Sequence, residues 1–337
     1  MKILLAPFSF LFGAIVLIRN WAFNCGLLKA QSLPVPVISV GNISVGGTGK
    51  TPFTMLLISY LKSRGLRPGL ISRGYGGTYK GVVEVDTRKD WKQFGDEPVM
   101  IKTRFPEVPI FLAHRRVEAG LALLEKYKVD VMIADDAFQH RYLKRDMDIV
   151  LLDSTQPESD YHLLPRGLLR ECFTALNRAQ LIIITKANLL AETEMLGRLK
   201  FLDSKIKEPQ KVLSGDLEPS GLMDGEGNSV APEKVQRVYL LSGIGRPQAF
   251  ETSVKNYLGR KIERHWEYSD HHQYTEDEIS KVFSELPADQ KLVTTEKDFV
   301  RLKDFSKFRS RFLIFKVDME IRGDGNEFLA QITRLGL

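Results

Sequence analysis

Between residues 36 and about 190, short runs of consecutive apolar residues alternate with longer stretches whose apolar positions recur every three or four residues. The first kind predicts strands buried on both faces and the second predicts helices packed over them. Their alternation predicts a parallel sheet covered on both sides. The predicted strands are 37–40, 68–72, 108–112, 129–134, 149–152 and 181–185, and the predicted helices are 51–63, 97–104 and 115–127. Gly65 stops the first helix. A polar stretch containing Gly and Pro, from about Gly215 to Glu233, reads as a boundary. Beyond it, 238–241, 262–268, 292–295 and 312–317 predict further strands. Arg246-Pro247 opens a helix that stops at Gly259, and Thr275 with Glu278 makes a capping box for the next one. The pattern therefore predicts an α/β chain in three parts: a helix in residues 1–30, a parallel-sheet domain in 31–220, and a smaller α/β domain in 230–337.

The N-terminal stretch breaks this pattern. Residues 3–18 carry no charge, Lys2 and Arg19 flank them, and Trp21 and Phe23 follow. The run is short for a membrane span, which wants about 20 apolar residues. A secretory signal has the same form, but it would carry the glycine-rich loop Ser44–Thr51, whose small residues suit phosphate, out of the cytosol. On a helical wheel, Ser9, Gly13, Asn20 and Asn24 form a thin polar stripe. That suits a helix lying in, or dipping into, one leaflet. A buried core helix is the plain alternative.

Length and charge narrow the picture further. At 337 residues the chain exceeds the usual single core, and its net charge of +6 fits an anionic lipid or a phosphorylated substrate. No Lys/Arg block with interleaved aromatics appears, so nucleic acid is not an expected partner. Cys25 and Cys172 have no metal or disulfide spacing and read as reduced thiols.

The chemistry is clearest after the first strand. Ser44-Val45-Gly46-Gly47-Thr48-Gly49-Lys50-Thr51 lies between an apolar strand and a helical pattern. Small residues let backbone amides face anionic oxygens, Lys50 reaches the outer phosphates, and the Thr51 hydroxyl is placed for Mg²⁺. The start of the helix adds its positive dipole end. Ser44 stands where the usual pattern has Gly. A P-loop of this kind implies a nucleotide with Mg²⁺, and ATP is the default where no guanine-reading element stands. Thr185-Lys186-Ala187-Asn188 resembles a guanine-reading element, but Asn188 replaces the Asp that would read guanine.

Further candidates follow along the chain. Asp135 and Asp136 end an apolar strand, where carboxylates hold Mg²⁺ directly or through water. Gly95-Asp96-Glu97-Pro98 offers either a general base or simply a turn with a helix cap. Asp270-His271-His272 suggests acid–base work from a loop that closes over the phosphate site. Arg73, Arg115 with Arg116, Arg166 and Arg170 suit phosphate oxygens, or lie solvated on the surface. Glu171 would serve Mg²⁺ or pair with an arginine.

In order, Gly41 to Pro52, Ser72-Arg73-Gly74-Tyr75-Gly76, Gly95-Asp96-Glu97-Pro98, Asp135-Asp136-Ala137-Phe138-Gln139-His140, Leu168-Leu169-Arg170-Glu171, Asp270-His271-His272 and Thr294-Thr295-Glu296-Lys297-Asp298 resemble the tetraacyldisaccharide 4′-kinases of lipid A synthesis. The likeness spans nearly the whole chain. Ala137 stands where that family has Gly, a difference that matters only if the position needs positive φ. The resemblance implies transfer of the γ-phosphoryl of ATP to the 4′-hydroxyl of an acylated glucosamine disaccharide 1-phosphate, with Mg²⁺, at the cytoplasmic face of the bacterial inner membrane. It implies that Asp96 and His271 act together as base and orienter. The expected site is then Asp96, His271, Lys50 and Asp136 for catalysis, Ser44 to Thr51 for the nucleotide, Thr51, Asp135 and Glu171 for the metal, and Arg73, Arg115 and Arg170 for the substrate. A membrane-associated P-loop switch or targeting factor, which forms no phosphorylated product, is the rival reading.

Overall fold

The computed structural model describes residues 4–206, 211–322, 326–333 and 335. Its first elements are helix α1 (Ala6–Asn24), strand β1 (Val37–Asn42), α2 (Lys50–Ser63), β2 (Pro68–Ser72), β3 (Val83–Glu84), α3 (Trp91–Phe94), α4 (Asp96–Arg104) and β4 (Ile110–Leu112). Then come α5 (Arg116–Lys126), β5 (Val131–Asp135), β6 (Met147–Asp153), β7 (Leu181–Thr185), α6 (Glu192–Asp203), β8 (Lys211–Asp224) and β9 (Ser229–Val230). The last are β10 (Val238–Ser242), α7 (Pro247–Leu258), β11 (Ile262–Glu267), α8 (Glu276–Glu285), β12 (Leu292–Thr295), α9 (Glu296–Leu302), β13 (Phe312–Ile321) and α10 (Asn326–Thr333).

The strands β1, β2, β5, β6 and β7 are buried along their whole length, which is why they read as unbroken apolar runs. They pair in parallel in the order β7-β6-β1-β5-β2, continued by β4. The second half adds β10, β11, β12 and β13, also parallel, in the order β11-β10-β12-β13. Apolar clusters cover both faces of the first half, with Phe53, Leu57 and Ile58 of α2 on one side and Val117, Ala119 and Leu123 of α5 on the other.

The Gly215–Glu233 stretch, read from sequence as a boundary, begins inside a long strand. β8 pairs with β7 in parallel through Lys211–Gly215, then with β13 antiparallel through Gly215–Asp224. One strand therefore joins the sheet of the first half to that of the second. Its polar composition hid it. The ribbon is half-exposed, and Pro219 is tolerated beside a bulge where Ser220 has no partner residue. The chain's end also returns: Phe328 of α10 packs edge-on against Phe53 and Tyr60 of α2, at 5.9 and 5.6 Å.

Helix α1 turns its polar stripe toward the protein, not toward water. The Ser9 hydroxyl donates to the Leu163 carbonyl at 2.9 Å and accepts from the Arg166 amide at 3.0 Å. A Cβ on Gly13 would stand 2.8 Å from the Leu163 side chain. Asn20 donates to Glu171 at 2.7 Å, and Arg141 donates to the Asn20 carbonyl and the Asn24 side chain at 2.9 and 2.8 Å. The outward face is left to Phe8, Phe10, Leu11, Ile15, Leu17, Ile18 and Trp21, each more than half exposed. Burying such side chains is worth about 1.5–3 kcal/mol each, so this face would gain on the order of 10 kcal/mol from an apolar surface. Only 17% of the helix's most apolar window is buried, and its mean hydropathy is 1.4.

Candidate active site

The loop between β1 and α2 is held open from outside. Gly46 and Gly49 take φ of +115° and +83°, conformations that need glycine, and a Cβ on Gly49 would also press on the Met319 methyl at 3.0 Å. Asn42 donates to the Thr48 hydroxyl at 3.0 Å, Thr185 to the Thr48 carbonyl at 2.9 Å, and Lys186 to the Gly47 carbonyl at 2.7 Å. With those groups tied back, the first-turn amides of α2, which no helical carbonyl can satisfy, are placed to meet an anion. Ser44 costs nothing here, because it forms a bridge with Leu169 and does not have positive φ. Lys186 is itself held by Asp153 at 2.6 Å, and Arg246 from the second half reaches the same carboxylate at 3.1 Å.

Asp135 ends β5 beside β1 and is 6% exposed. Its oxygens accept from Thr54 at 3.4 Å and Ser72 at 3.3 Å. Burial, then the nearby Glu97 and Asp136 charges, push its carboxyl up to about 7. Asp136 sits in the left-handed region, at φ +45°. Both its oxygens meet Arg170, at 3.0 and 3.1 Å, and Lys50 lies 3.7 Å away. Burial alone would raise this carboxyl, but Lys50 and Arg170 outweigh it and hold it below the usual aspartate range. The left-handed residue of this turn is Asp136, so Ala137 needs no glycine; its methyl is buried in the cluster around α5.

Asp96 and His271, 175 positions apart in the chain, meet here. His271 Nδ1 lies 3.0 Å from Asp96 Oδ2. The other Asp96 oxygen accepts from the Glu97 amide at 2.9 Å. Lys297 of α9 stands 3.1 Å from His271 Nε2, 3.4 Å from Glu97 and 3.6 Å from Asp270. A lysine donating to Nε2 leaves Nδ1 to carry the hydrogen toward Asp96. Burial would raise Asp96, yet the His271 hydrogen bond with the Lys297 and Arg301 charges lowers it below the ordinary aspartate value. The Asp96 hydrogen bond raises His271, against burial and the Lys297 charge. A raised histidine stabilises the fold below its unfolded value of about 6.5, and that contribution fades as pH climbs through the folded value. A depressed aspartate contributes above about 3.9, and that contribution fades as pH falls through the folded value. The two halves are therefore held together best by this pair between roughly pH 4 and 6.5. Because the Lys297 charge opposes protonation of His271, Lys297→Met is expected to move the His271 titration to higher pH. Proton NMR of the imidazole ring checks this, and an unmoved or lower midpoint would remove Lys297 from the pair.

Three expected site residues, Glu171, Arg115 and Arg73, stand apart from the cluster around Asp96 and His271. Glu171 is fully buried and meets Arg178 with both oxygens, at 3.0 and 3.2 Å, while Asn20 takes one of them at 2.7 Å. It thus has the arginine partner that the sequence offered as one of its two roles, and through Asn20 it also fastens α1. Arg115 is exposed and pairs with Glu118 at 3.7 Å; its neighbour Arg116 is the buried one, donating to the Asp136 carbonyl at 2.9 Å. Arg73 is also exposed, while its carbonyl accepts from the Tyr79 hydroxyl. Lys297, Arg301 and Arg246 had no assigned role from sequence, and Arg116 was named only beside Arg115 as a candidate for phosphate oxygens. Lys297 lay inside a quoted motif, but only the packing of α9 on α4 brings it to Glu97.

A family model described as Tetraacyldisaccharide-1-P 4′-kinase matches residues 1–335. Tetraacyldisaccharide 4′-kinase of Bdellovibrio bacteriovorus is 33% identical over 347 residues, spanning 99% of this chain and 100% of that protein. The protein of the same name from Shewanella sediminis is 37% identical over 311 residues, spanning 91% and 84%. Among solved structures, LpxK from Aquifex aeolicus in complex with ATP matches with a TM-score of 0.82 at 30% identity, over 99% of both chains.

Proposed function

The chain belongs to the tetraacyldisaccharide-1-phosphate 4′-kinase family, and from that premise we propose which of its residues carry the transfer. The activity is ATP-dependent phosphorylation of the 4′-hydroxyl of tetraacyldisaccharide 1-phosphate in lipid A biosynthesis. Phosphoryl transfer asks for positioning and charge stabilisation more than for covalent chemistry. The loop from Ser44 to Thr51 holds the phosphates of ATP, with Lys50 as their cation. Asp96 accepts the proton of the attacking hydroxyl, and His271 orients Asp96. Arg170 and Arg73 face the anionic groups, and Asp136 keeps Arg170 and Lys50 in place.

The carboxylate cluster fits Mg²⁺. Asp135 is buried beside Asp136 and Glu97, and their mutual repulsion is what a divalent cation relieves. Thr51, at the start of α2, supplies the hydroxyl oxygen. When bound, Mg²⁺ would neutralise charge on the transferring phosphoryl group. The single observation that carries this reading is the Asp96–His271 bond. It joins a turn of the first half to a loop of the second, and Lys297 continues it to Glu97 beside Asp135. Residues 31–220 and 230–337 act as two lobes around that contact, bridged by β8.

We assign the site to a lipid surface, the cytoplasmic face of the inner membrane, with helix α1 as its anchor beside the acylated substrate. The supporting observation is its outward apolar face. Chains lacking residues 1–24 are expected to lose most of their liposome binding while still binding ATP. Formation of labelled lipid from labelled ATP and the acylated disaccharide, with and without Mg²⁺, tests the transfer itself. Full liposome binding by the shortened chain would move the anchor elsewhere, and Mg²⁺-independent product would remove the metal.

A further inference from the structure

Away from the active site, three donors of the second half converge on one point. His265 Nδ1 on β11 lies 3.0 Å from Glu251 Oε2 of α7 and 3.7 Å from Glu267 Oε1, two residues along the same strand face. The three ligand atoms all lie within 4.8 Å of one another. The His265 side chain is 5% exposed. Its far nitrogen, Nε2, lies 2.8 Å from the hydroxyl of the fully buried Ser242. Gln248 takes the outer oxygen of Glu267 at 3.2 Å, which leaves the inner one facing the imidazole.

We propose that Glu251, His265 and Glu267 form a binding site for a divalent transition cation of the Zn²⁺ class. A tetrahedral ion with ligand bonds of about 2.0–2.1 Å sets its donors about 3.3 Å apart. The two imidazole–carboxylate separations straddle that value, so small side-chain movements complete the site. An imidazole nitrogen favours Zn²⁺ and its neighbours over Mg²⁺ or Ca²⁺, which prefer oxygen alone. Ser242 gives the imidazole the outer hydrogen bond that metal-binding histidines have, fixing which nitrogen faces the ion. Two carboxylates beside one ring repel each other, and a cation relieves this. The fourth position opens toward solvent on the side of exposed Glu267 and takes water. The ion would clamp α7 to β11, which among the described residues is an edge strand paired only with β10. It would also steady Arg246, which immediately precedes α7 and reaches Asp153 beside the phosphate loop.

The test uses the full chain, stripped with a chelator and kept in excess Mg²⁺ so that the carboxylate site by the phosphate loop is filled. Titration with Co²⁺ is expected to give the visible absorption of a four-coordinate site at one equivalent, displaced by Zn²⁺. Glu251→Gln and His265→Ala are expected to abolish that absorption, and Ser242→Ala to weaken binding by about 10–100-fold. Zn²⁺ is expected to raise the Tm of the unaltered chain but not that of Glu251→Gln. Absence of the absorption in the unaltered chain overturns the proposal. So does equal Co²⁺ binding by Glu251→Gln, a surface change that spares the buried ring and keeps the test open should His265→Ala fail to fold.

Discussion

Asp96→Asn is expected to lower kcat by about 10²- to 10⁴-fold, or about 3–5 kcal/mol of barrier, while the KM for ATP stays near its original value. The substitution keeps the shape and the contact with the Glu97 amide, but it removes the charge that would accept the proton in the proposed mechanism. Asp96 is held below the usual aspartate range, so it is ionised throughout neutral pH. A weak base of this kind suits a loose transition state, where the hydroxyl must be aimed before it must be deprotonated. A second readout separates this role from simple loss of folding. The Asp96 hydrogen bond is what raises His271, so His271 in Asp96→Asn is expected to titrate at lower pH than in the unaltered chain. Steady-state kinetics with ATP and the acylated disaccharide decide the matter: an unchanged kcat would leave Asp96 as a helix-start residue only.

Asp298→Ala carries the largest expected loss of stability, about 3–5 kcal/mol, measured by urea denaturation. Asp298 is fully buried at the start of α9. One oxygen accepts from the Gly243 amide at 3.0 Å, the Tyr274 hydroxyl at 2.8 Å and Arg301 at 2.6 Å. The other accepts from Thr295 at 2.6 Å. Alanine would leave the fully buried Arg301 side chain without its closest counter-charge, and an unpaired buried charge costs far more than a lost surface contact. Function is expected to suffer with stability. Arg301 also donates to the Gly243 and His272 carbonyls, both at 3.0 Å, and the His271 amide bonds the Gly243 carbonyl at 3.2 Å. His271 is at φ +58°, a conformation that costs a non-glycine residue about 1 kcal/mol or more, so the surrounding network must hold it there. Asp298→Asn, which keeps the shape and part of the bonding, is expected to lose less. A cost under about 1 kcal/mol for Asp298→Ala would show that Arg301 finds other partners.

The elements whose chemistry is local were legible in the sequence. The apolar runs of β1, β2 and β7, the glycine stop of α7 and the Thr275–Glu278 cap depend on neighbours along the chain, and the structure has them where the pattern placed them. The phosphate loop belongs with them, since its glycines and Lys50 are contiguous. Elements defined by distant partners were harder to read. β8 looked like a linker because a half-exposed ribbon strand has no clean alternation of its own; its pairing with β13 makes it a strand. The polar stripe of α1 was visible, but not which way it faced, because Ser9, Asn20 and Asn24 answer to Leu163, Glu171 and Arg141.

The same division runs through the site. The sequence by itself determined the residue types: a phosphate loop, paired carboxylates, an Asp-His loop and an apolar N-terminus, in an order that marks the family. The tertiary structure decided which of them share one electrostatic environment. Charge interactions act through a few ångströms of space and not through chain separation. Only the fold could bring Asp96 to one nitrogen of His271 and Lys297 to the other, pair Glu171 with Arg178, and set Arg116 rather than Arg115 against Asp136.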